Sequence, residues 1–146
     1  MIANKALNQY ANVGRRTAVE GATPHQLIMM LYDGVLESLM KATGCIQRKD
    51  FAAKGAAIGK AINIIGGLQS FLDMEKGGEV SANLDRLYDY MTRRLYDATV
   101  SNDIAIISEV ANLIKTVREG WEGIREEANK IHEQNIAQQA QVKVES

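Results

Sequence analysis

The sequence predicts an all-α protein, an antiparallel four-helix bundle with a short N-terminal arm or cap helix. Its apolar residues are mostly helix-forming, and it contains one proline and two phenylalanines, which disfavours a β-sandwich or barrel. Apolar residues recur at three- and four-residue spacing in four segments of roughly 20 residues, the pattern of amphipathic helices. Short connections join the segments, so successive helices are expected to pack antiparallel.

The clearest helix start is the sequence TPHQ at residues 23–26. Thr23 can serve as N-cap, Pro24 has the fixed φ that suits the first helical position, and Gln26 can complete a capping box. The first helix is predicted to end at about Arg48.

Asp50 is predicted to cap the second helix, which extends from Phe51 to about Leu72. Glycine within a helix is unfavourable by about 0.5–1 kcal/mol relative to alanine, yet this helix has three on one flank. Either a neighbouring helix packs closely there, or the flank is a groove that receives an added peptide. The three glycines are Gly55, Gly59 and Gly66.

Gly77 and Gly78 are predicted to supply positive-φ positions in the turn between the second and third helices. Ser81 is predicted to be the N-cap of the third helix, which ends near Asn102. The apolar stripe of this helix consists of Leu84, Leu87, Tyr88, Met91, Leu95 and Ala98.

Asp103 or Asn102 is predicted to cap the fourth helix. Its apolar stripe continues weakly beyond Trp121, so the helix could extend further, and residues after Ile136 are expected to fray or be disordered. The stripe consists of Ile107, Val110, Ile114, Val117 and Trp121, followed by Ile124, Ala128 and Ile131.

The predicted organisation has three parts. Residues 1–22 form a docking arm, residues 23–124 the four-helix domain, and residues 125–146 a polar extension that is partly helical or disordered. In the arm, Leu7, Tyr10 and Val13 share one helical face. That face is too short to be stable alone, so we expect it to dock on apolar surface elsewhere.

Composition excludes several classes of function. A net charge of −1 does not favour nucleic-acid binding. Cys45 is the single cysteine, so an intrachain disulfide cannot form, and a reducing compartment is favoured. The first ten residues, MIANKALNQY, contain no apolar h-region, so a signal peptide is not expected, and no apolar run approaches the 18 residues of a membrane span. A soluble, cytoplasmic protein without membrane insertion is expected.

No catalytic, cofactor or metal site is predicted. The two histidines, His25 and His132, are not preceded by glutamate at the spacing of di-metal bundles, and His25 is expected at the surface. There is no phosphate-binding glycine loop and no zinc ligand set. We therefore expect a protein that is not an enzyme.

An ordered set of motifs over residues 10–121 resembles the flagellar secretion chaperone family FliS. The sequence departs from the family pattern at Ala98-Thr99 and at Gly120. The matching residues are Tyr10, Thr23-Pro24, Leu27-Ile28, Met30 to Gly34, Lys60-Ala61, Ile64-Ile65, Leu72 to Glu75, Gly77 to Glu79, Asn83-Leu84, Leu87 to Met91, Arg94-Leu95, Asp103, Glu109-Val110, Arg118 and Trp121.

The resemblance implies a cytosolic chaperone that binds the disordered C-terminal segment of flagellin. Binding would prevent premature polymerisation and support delivery to the export apparatus, with export gate components as possible further partners. It also implies that the arm can cover the client site when no client is bound. The alternative is a non-catalytic regulatory or self-associating bundle.

The predicted client-binding residues are apolar positions of the arm and of the second, third and fourth helices. They are Leu7, Tyr10, Ile62, Ile65, Leu84, Leu87, Tyr88, Met91, Leu95, Ile107, Val110 and Ile114.

Overall fold

The structure is a computed structural model, and it describes residues 21–145. Residues 1–20, which contain most of the predicted arm, lie outside this range. The described chain is helical, and its helices are α1 (Pro24–Gln47), α2 (Phe51–Ser70), α3 (Gly78–Ser101), α4 (Ile104–Gly123) and α5 (Arg125–Glu145).

Helices α1 to α4 form the predicted antiparallel bundle. Around its axis α1 packs against α2 and α4, and α3 also packs against α2 and α4. Short turns join the helices, so the start of α1 and the end of α4 lie at the same end of the bundle. Helix α5 contacts α1 and α4. The predicted all-α class and bundle are confirmed.

One apolar core fills the bundle axis. Burying a Val, Leu, Ile, Phe or Met side chain contributes about 1.5–3 kcal/mol, so this core is the main source of stability. Its buried members are Leu31, Tyr32, Val35, Leu39, Ala42, Ala57, Ile58, Ala61, Ile64, Ile65, Leu68, Tyr88, Met91, Leu95, Ala98, Ile106, Ile107, Val110 and Ile114.

Three predicted helix starts are confirmed. The Thr23 hydroxyl accepts the Gln26 N–H at 3.2 Å, and the Gln26 side chain accepts the Thr23 N–H at 2.9 Å. Asp50 accepts the backbone N–H three residues on at 3.3 Å. Asp103, rather than Asn102, caps α4 by accepting a backbone N–H at 2.9 Å. These side chains satisfy N–H groups that have no partner within the helix.

The start of α3 differs from the prediction. Helix α2 ends at Ser70, and α3 begins at Gly78, three residues before Ser81, so the prediction of Ser81 as N-cap is wrong. Gly78 has the positive φ of +50°, whereas Gly77 has φ −80°. A Cβ on Gly77 would lie 1.7 Å from the Ser81 Oγ and 2.8 Å from the Asp73 carbonyl oxygen. Gly77 is therefore required by close approach rather than by its φ.

The glycine flank of α2 is open at two of its three positions. A Cβ built on Gly55 or on Gly59 would meet no other atom within 4 Å. The interpretation that a neighbouring helix packs closely is therefore wrong at these two positions. The other interpretation, a groove that receives an added peptide, stays a prediction.

A buried lysine, which the sequence analysis does not single out, joins the start of α2 to the end of α3. Lys54 is 6% exposed. Its Nζ donates to the Thr99 carbonyl oxygen at 2.8 Å and to the Asn102 Oδ1 at 2.6 Å. A cation at a helix C-terminus is favourable because it neutralises the last carbonyl groups.

Helix α5 extends to Glu145, where fraying or disorder is expected after Ile136. It is nearly continuous with α4, since the break is confined to Ile124. The Ile124 N–H donates to the Trp121 carbonyl oxygen at 3.3 Å, and the Ala128 N–H donates to the Ile124 carbonyl oxygen at 2.9 Å. The weak continuation of the apolar stripe past Trp121 therefore does correspond to a helix.

The structure of the turn predicts that alanine substitutions at Gly77 and at Gly59 have different effects on stability. Gly77→Ala should lower the free energy of unfolding by about 1–3 kcal/mol, because the added methyl group overlaps Ser81 and a backbone carbonyl. Gly59→Ala is the matched control, and it should be neutral or stabilising by up to about 1 kcal/mol. Urea unfolding followed by circular dichroism measures both. Equal stability of the two variants would contradict the described turn.

Candidate functional site

The bundle is open at the end where α1 and α3 begin and α2 and α4 end. A cavity of about 440 Å³ lies there, and we call it the end cavity. Leu27, Leu72, Leu84 and Trp121 contribute to its walls, and Phe71 and Val80 contribute to its rim. Its volume falls in the range of ligand pockets in proteins.

One wall is fixed by a clasp between α1 and α4. The indole N–H of Trp121 donates to the His25 carbonyl oxygen at 3.1 Å. His25 Nε2 lies 2.6 Å from the Trp121 carbonyl oxygen, which can only accept, so Nε2 carries the proton. The two rings are stacked, with centroids 5.1 Å apart. His25 is 2% exposed, so the prediction that it lies at the surface is wrong.

Two tyrosines lie at the inner end of the cavity. Tyr32 from α1 and Tyr88 from α3 both line it, and their hydroxyl groups are 2.7 Å apart, within hydrogen-bond distance. Burial raises the pKa of both hydroxyls, because the phenolate is poorly solvated there. Both groups therefore stay neutral at physiological pH.

The rim is exposed and apolar. Phe71 is 48% exposed and Val80 is 67% exposed. Large apolar side chains grouped at the mouth of an apolar cavity are typical of a binding surface. The described residues contain no group of three or more His, Cys, Asp or Glu side chains that could hold a metal ion. The end cavity is therefore suited to burying apolar side chains of a ligand.

A polar network between α3 and α4 fixes these two helices against each other. The Tyr90 hydroxyl and the Arg94 Nε donate to the two carboxylate oxygens of Glu109, each at 2.9 Å. The hydrogen bond from Arg94 lowers the pKa of Glu109, and that from Tyr90 lowers it further. Tyr90 is thus a structural contact between helices as well as a partly exposed aromatic residue.

The predicted client-binding residues fall into three groups. Leu7 and Tyr10 lie outside the described residues. Ile62, Leu84 and Leu87 are partly buried against the core. The remaining seven are at most 2% exposed, and a direct client contact at them stays a prediction; they are Ile65, Tyr88, Met91, Leu95, Ile107, Val110 and Ile114.

The end cavity combines two predicted residues with several that the prediction missed. Leu84 and Tyr88 line it, as do Leu27, Leu72 and Trp121. Periodicity places Leu72 and Trp121 on the core stripes of their helices. It does not show that both lie at the open end of the bundle, so their place in the cavity could not be predicted. The exposed Phe71 and Val80 flank the predicted turn. Two large apolar residues next to a turn could have indicated an apolar surface at that end of the bundle.

The comparisons with known proteins give a family. The family described as flagellar protein FliS matches residues 6–128. The chain is 49% identical to the flagellar secretion chaperone FliSB of Pseudomonas aeruginosa, over 85% of this chain and 98% of that protein. It is 45% identical to the flagellar secretion chaperone FliS of Salmonella typhimurium, over 88% of this chain and 96% of that protein.

A more distant relative agrees. The flagellar secretion chaperone FliS of Bacillus subtilis is 36% identical, over 73% of this chain and 79% of that protein. The chain therefore belongs to the FliS family of flagellar proteins. Among the described helices, none is both long and apolar enough to span a membrane.

The tyrosine pair predicts an alkaline limit to stability. In the unfolded chain tyrosine ionises near pH 10, whereas burial keeps both hydroxyls protonated to higher pH in the fold. Stability should therefore be full below pH ~10 and fall above it, by up to ~1.4 kcal/mol per pH unit for each tyrosine.

The Tyr32→Phe/Tyr88→Phe double variant should show a shallower decline above that pH, measured by urea unfolding between pH 8 and 11.5. This comparison removes the contribution of the lysines, which both proteins share. Parallel curves for the two proteins would mean that the hydroxyls are not shielded from water.

Proposed function

We propose that this protein is a cytosolic flagellar secretion chaperone that binds the disordered C-terminal segment of flagellin. Binding would keep flagellin from polymerising before export and would present it to the export apparatus, including components of the export gate. Membership of the FliS family supports the chaperone role. The observation that carries client binding is the end cavity, with its apolar walls and its exposed rim.

The chemistry of the cavity fits a disordered, amphipathic client. Apolar side chains on one face of a short client helix would enter the end cavity, a form of helix-in-groove recognition. Each buried aliphatic or aromatic side chain contributes about 1.5–3 kcal/mol. Ordering the client offsets part of this gain, which favours a complex that can be dissociated for export.

Of the predicted client-binding residues, we propose the partly buried ones as direct client contacts. Leu84 lies in the cavity wall, and Ile62 and Leu87 pack at the edge of the core. The fully buried members would support this surface from beneath. Leu7 and Tyr10 remain proposed contacts of the arm at the client site, where the family resemblance implies that the arm can bind.

Substitutions at the rim test this function. Phe71→Glu and Val80→Glu should each weaken binding of the flagellin C-terminal segment by about tenfold or more, equal to about 1.4 kcal/mol, because they place a carboxylate beside apolar walls. Both side chains are already exposed, so the fold should be retained. Isothermal titration calorimetry with the isolated flagellin segment measures the effect.

Val100→Glu is the matched control, because Val100 is 86% exposed and lies near the other end of α3. Its affinity should stay within about twofold of that of the unsubstituted protein, a difference below ~0.5 kcal/mol. Flagellin truncated to remove the C-terminal segment should not bind. Absence of any flagellin binding, together with concentration-dependent self-association, would instead support the regulatory or self-associating bundle.

A further inference from the structure

The floor of the end cavity is polar, whereas its walls are apolar. Tyr32 of α1 and Tyr88 of α3 form this floor. The two helices lie diagonally across the bundle, since each packs against α2 and α4, so the hydroxyl groups meet at the bundle axis, 2.7 Å apart. Tyr32 is 3% exposed and Tyr88 is 1% exposed. Two hydroxyl groups are therefore held together at a depth where the surrounding side chains are apolar.

The hydrogen bond between the two hydroxyl groups uses only one of their two hydrogens. A hydroxyl group has one hydrogen to donate and two lone pairs that accept, so whichever tyrosine donates, the hydrogen of the other remains. Within residues 21–145 the structure gives these hydroxyl groups no hydrogen bond except the one to each other. A buried donor without an acceptor is unfavourable. The tyrosine pair therefore has one hydrogen available for an acceptor that enters the cavity.

The other polar side chains of the lining do not supply that acceptor. Asp73 and Ser81 lie at or beside the turn between α2 and α3, and Ser81 precedes Tyr88 by about two helical turns. The Asp73 carboxylate accepts the backbone N–H groups of Glu75 and Lys76 at 3.1 and 3.0 Å, so it is engaged in the turn. An acceptor for the tyrosine pair must therefore come from what enters the cavity.

The lining limits the acceptor to a neutral oxygen. No basic side chain is among the described residues that line the cavity, and burying a carboxylate among apolar walls without a cation is unfavourable. An ammonium group only donates, so it would leave the hydrogen of the tyrosine pair without an acceptor. Amide, hydroxyl and main-chain carbonyl oxygens satisfy both conditions. A client helix offers such carbonyl oxygens at its C-terminal end, where the last ones have no partner within the helix.

We propose that the tyrosine pair selects the client by donating this hydrogen to a neutral oxygen of the flagellin C-terminal segment. The acceptor is an Asn, Gln, Ser or Thr side chain, or a main-chain carbonyl group at the end of a client helix, and it enters between the apolar walls. A segment with only apolar groups at this point would leave the hydrogen unpaired and bind more weakly. The tyrosine pair adds a polar contact to the proposed function, on which this assignment rests. The cavity floor, which includes the predicted contact Tyr88, then touches the client directly.

Removal of both hydroxyl groups tests this role. Tyr32→Phe/Tyr88→Phe keeps both rings and leaves neither tyrosine without its partner, so the fold should be retained, which circular dichroism verifies. Isothermal titration calorimetry with the isolated flagellin segment should show an affinity lower by about tenfold or more, because the client acceptor is then buried without a donor. An affinity within about threefold of that of the unsubstituted protein, or a higher one, would overturn the proposal, since a wholly apolar contact is not weakened when the hydroxyl groups are removed.

Tyr96→Phe is the matched control. Tyr96 lies on the same helix as Tyr88, is 59% exposed and does not line the cavity. Removing its hydroxyl group should therefore change the affinity by less than about twofold. A loss as large as that of the double variant would mean that the effect does not arise in the cavity, and it would contradict the proposal.

The single variants separate hydrogen bonding from packing. Tyr32→Phe and Tyr88→Phe each keep one hydroxyl hydrogen that can donate to the client, so each should weaken binding by only about twofold, and the double variant should lose more than the product of the two. Effects of the two substitutions that simply multiply would indicate packing alone and would count against the proposed donor.

Substitutions in the client distinguish the two sources of the acceptor. If a side chain is the acceptor, replacing that residue with an apolar one of similar size should weaken binding to the unsubstituted protein by about tenfold and have little further effect on the double variant. If a main-chain carbonyl group is the acceptor, each replacement should have the same effect on both proteins. Tighter binding of every apolar replacement to the unsubstituted protein would overturn the proposal independently of the double variant.

The same titrations separate this proposal from the proposed function. If the unsubstituted protein does not bind the flagellin segment, the proposed function fails, and the role of the tyrosine pair fails with it. If the segment binds with an affinity that does not depend on the two hydroxyl groups, only the role of the tyrosine pair is wrong.

Discussion

Burial of the four apolar stripes along one axis is the constraint on which the rest of this structure depends. Helices of this length are marginal when isolated, and their apolar faces are stable only against one another. The side chains that meet at the axis, such as Leu31, Ile65, Leu95 and Val110, are fully buried. Each helix is therefore held in place by its neighbours, and the surface features follow from where the bundle begins and ends.

Polar contacts between helices fix the ends of the bundle. Lys54 joins the start of α2 to the end of α3, and the clasp of His25 with Trp121 joins the start of α1 to the end of α4. These groups are largely removed from water, and each makes hydrogen bonds with a specific partner. Hydrogen bonds require particular distances and angles, so they set the positions of the helices more exactly than apolar packing can.

The function that we propose depends on the open end of the bundle, whereas the stability of the fold depends on its closed core. A closed core leaves little of the main apolar stripes available to a ligand, and most of the predicted client-binding residues are in that core. The end cavity is available because the helices stop there while Phe71 and Val80 remain exposed around its mouth. The proposal takes the kind of partner from family membership, and it places the apolar side chains of that partner in the end cavity.

The sequence by itself determined the helices, their order and most of their boundaries. Apolar spacing and capping residues are local properties, so Thr23, Asp50 and Asp103 could be assigned from neighbours in the chain. The family could also be read from the ordered motifs. The start of α3 was placed wrongly because Ser81 is a good N-cap by residue type, but Gly77 and Gly78 allow the helix to begin earlier.

Only the tertiary structure decided which apolar residues are core and which are surface. Leu84 and Leu95 belong to the same stripe, yet Leu84 lines the cavity and Leu95 is fully buried. Periodicity gives the direction of a side chain around its own helix, but burial depends on what the other three helices place opposite it. For the same reason the hydrogen-bond partners of the buried His25 and Lys54, which are 96 and at least 45 residues away along the chain, could be found only in the folded protein.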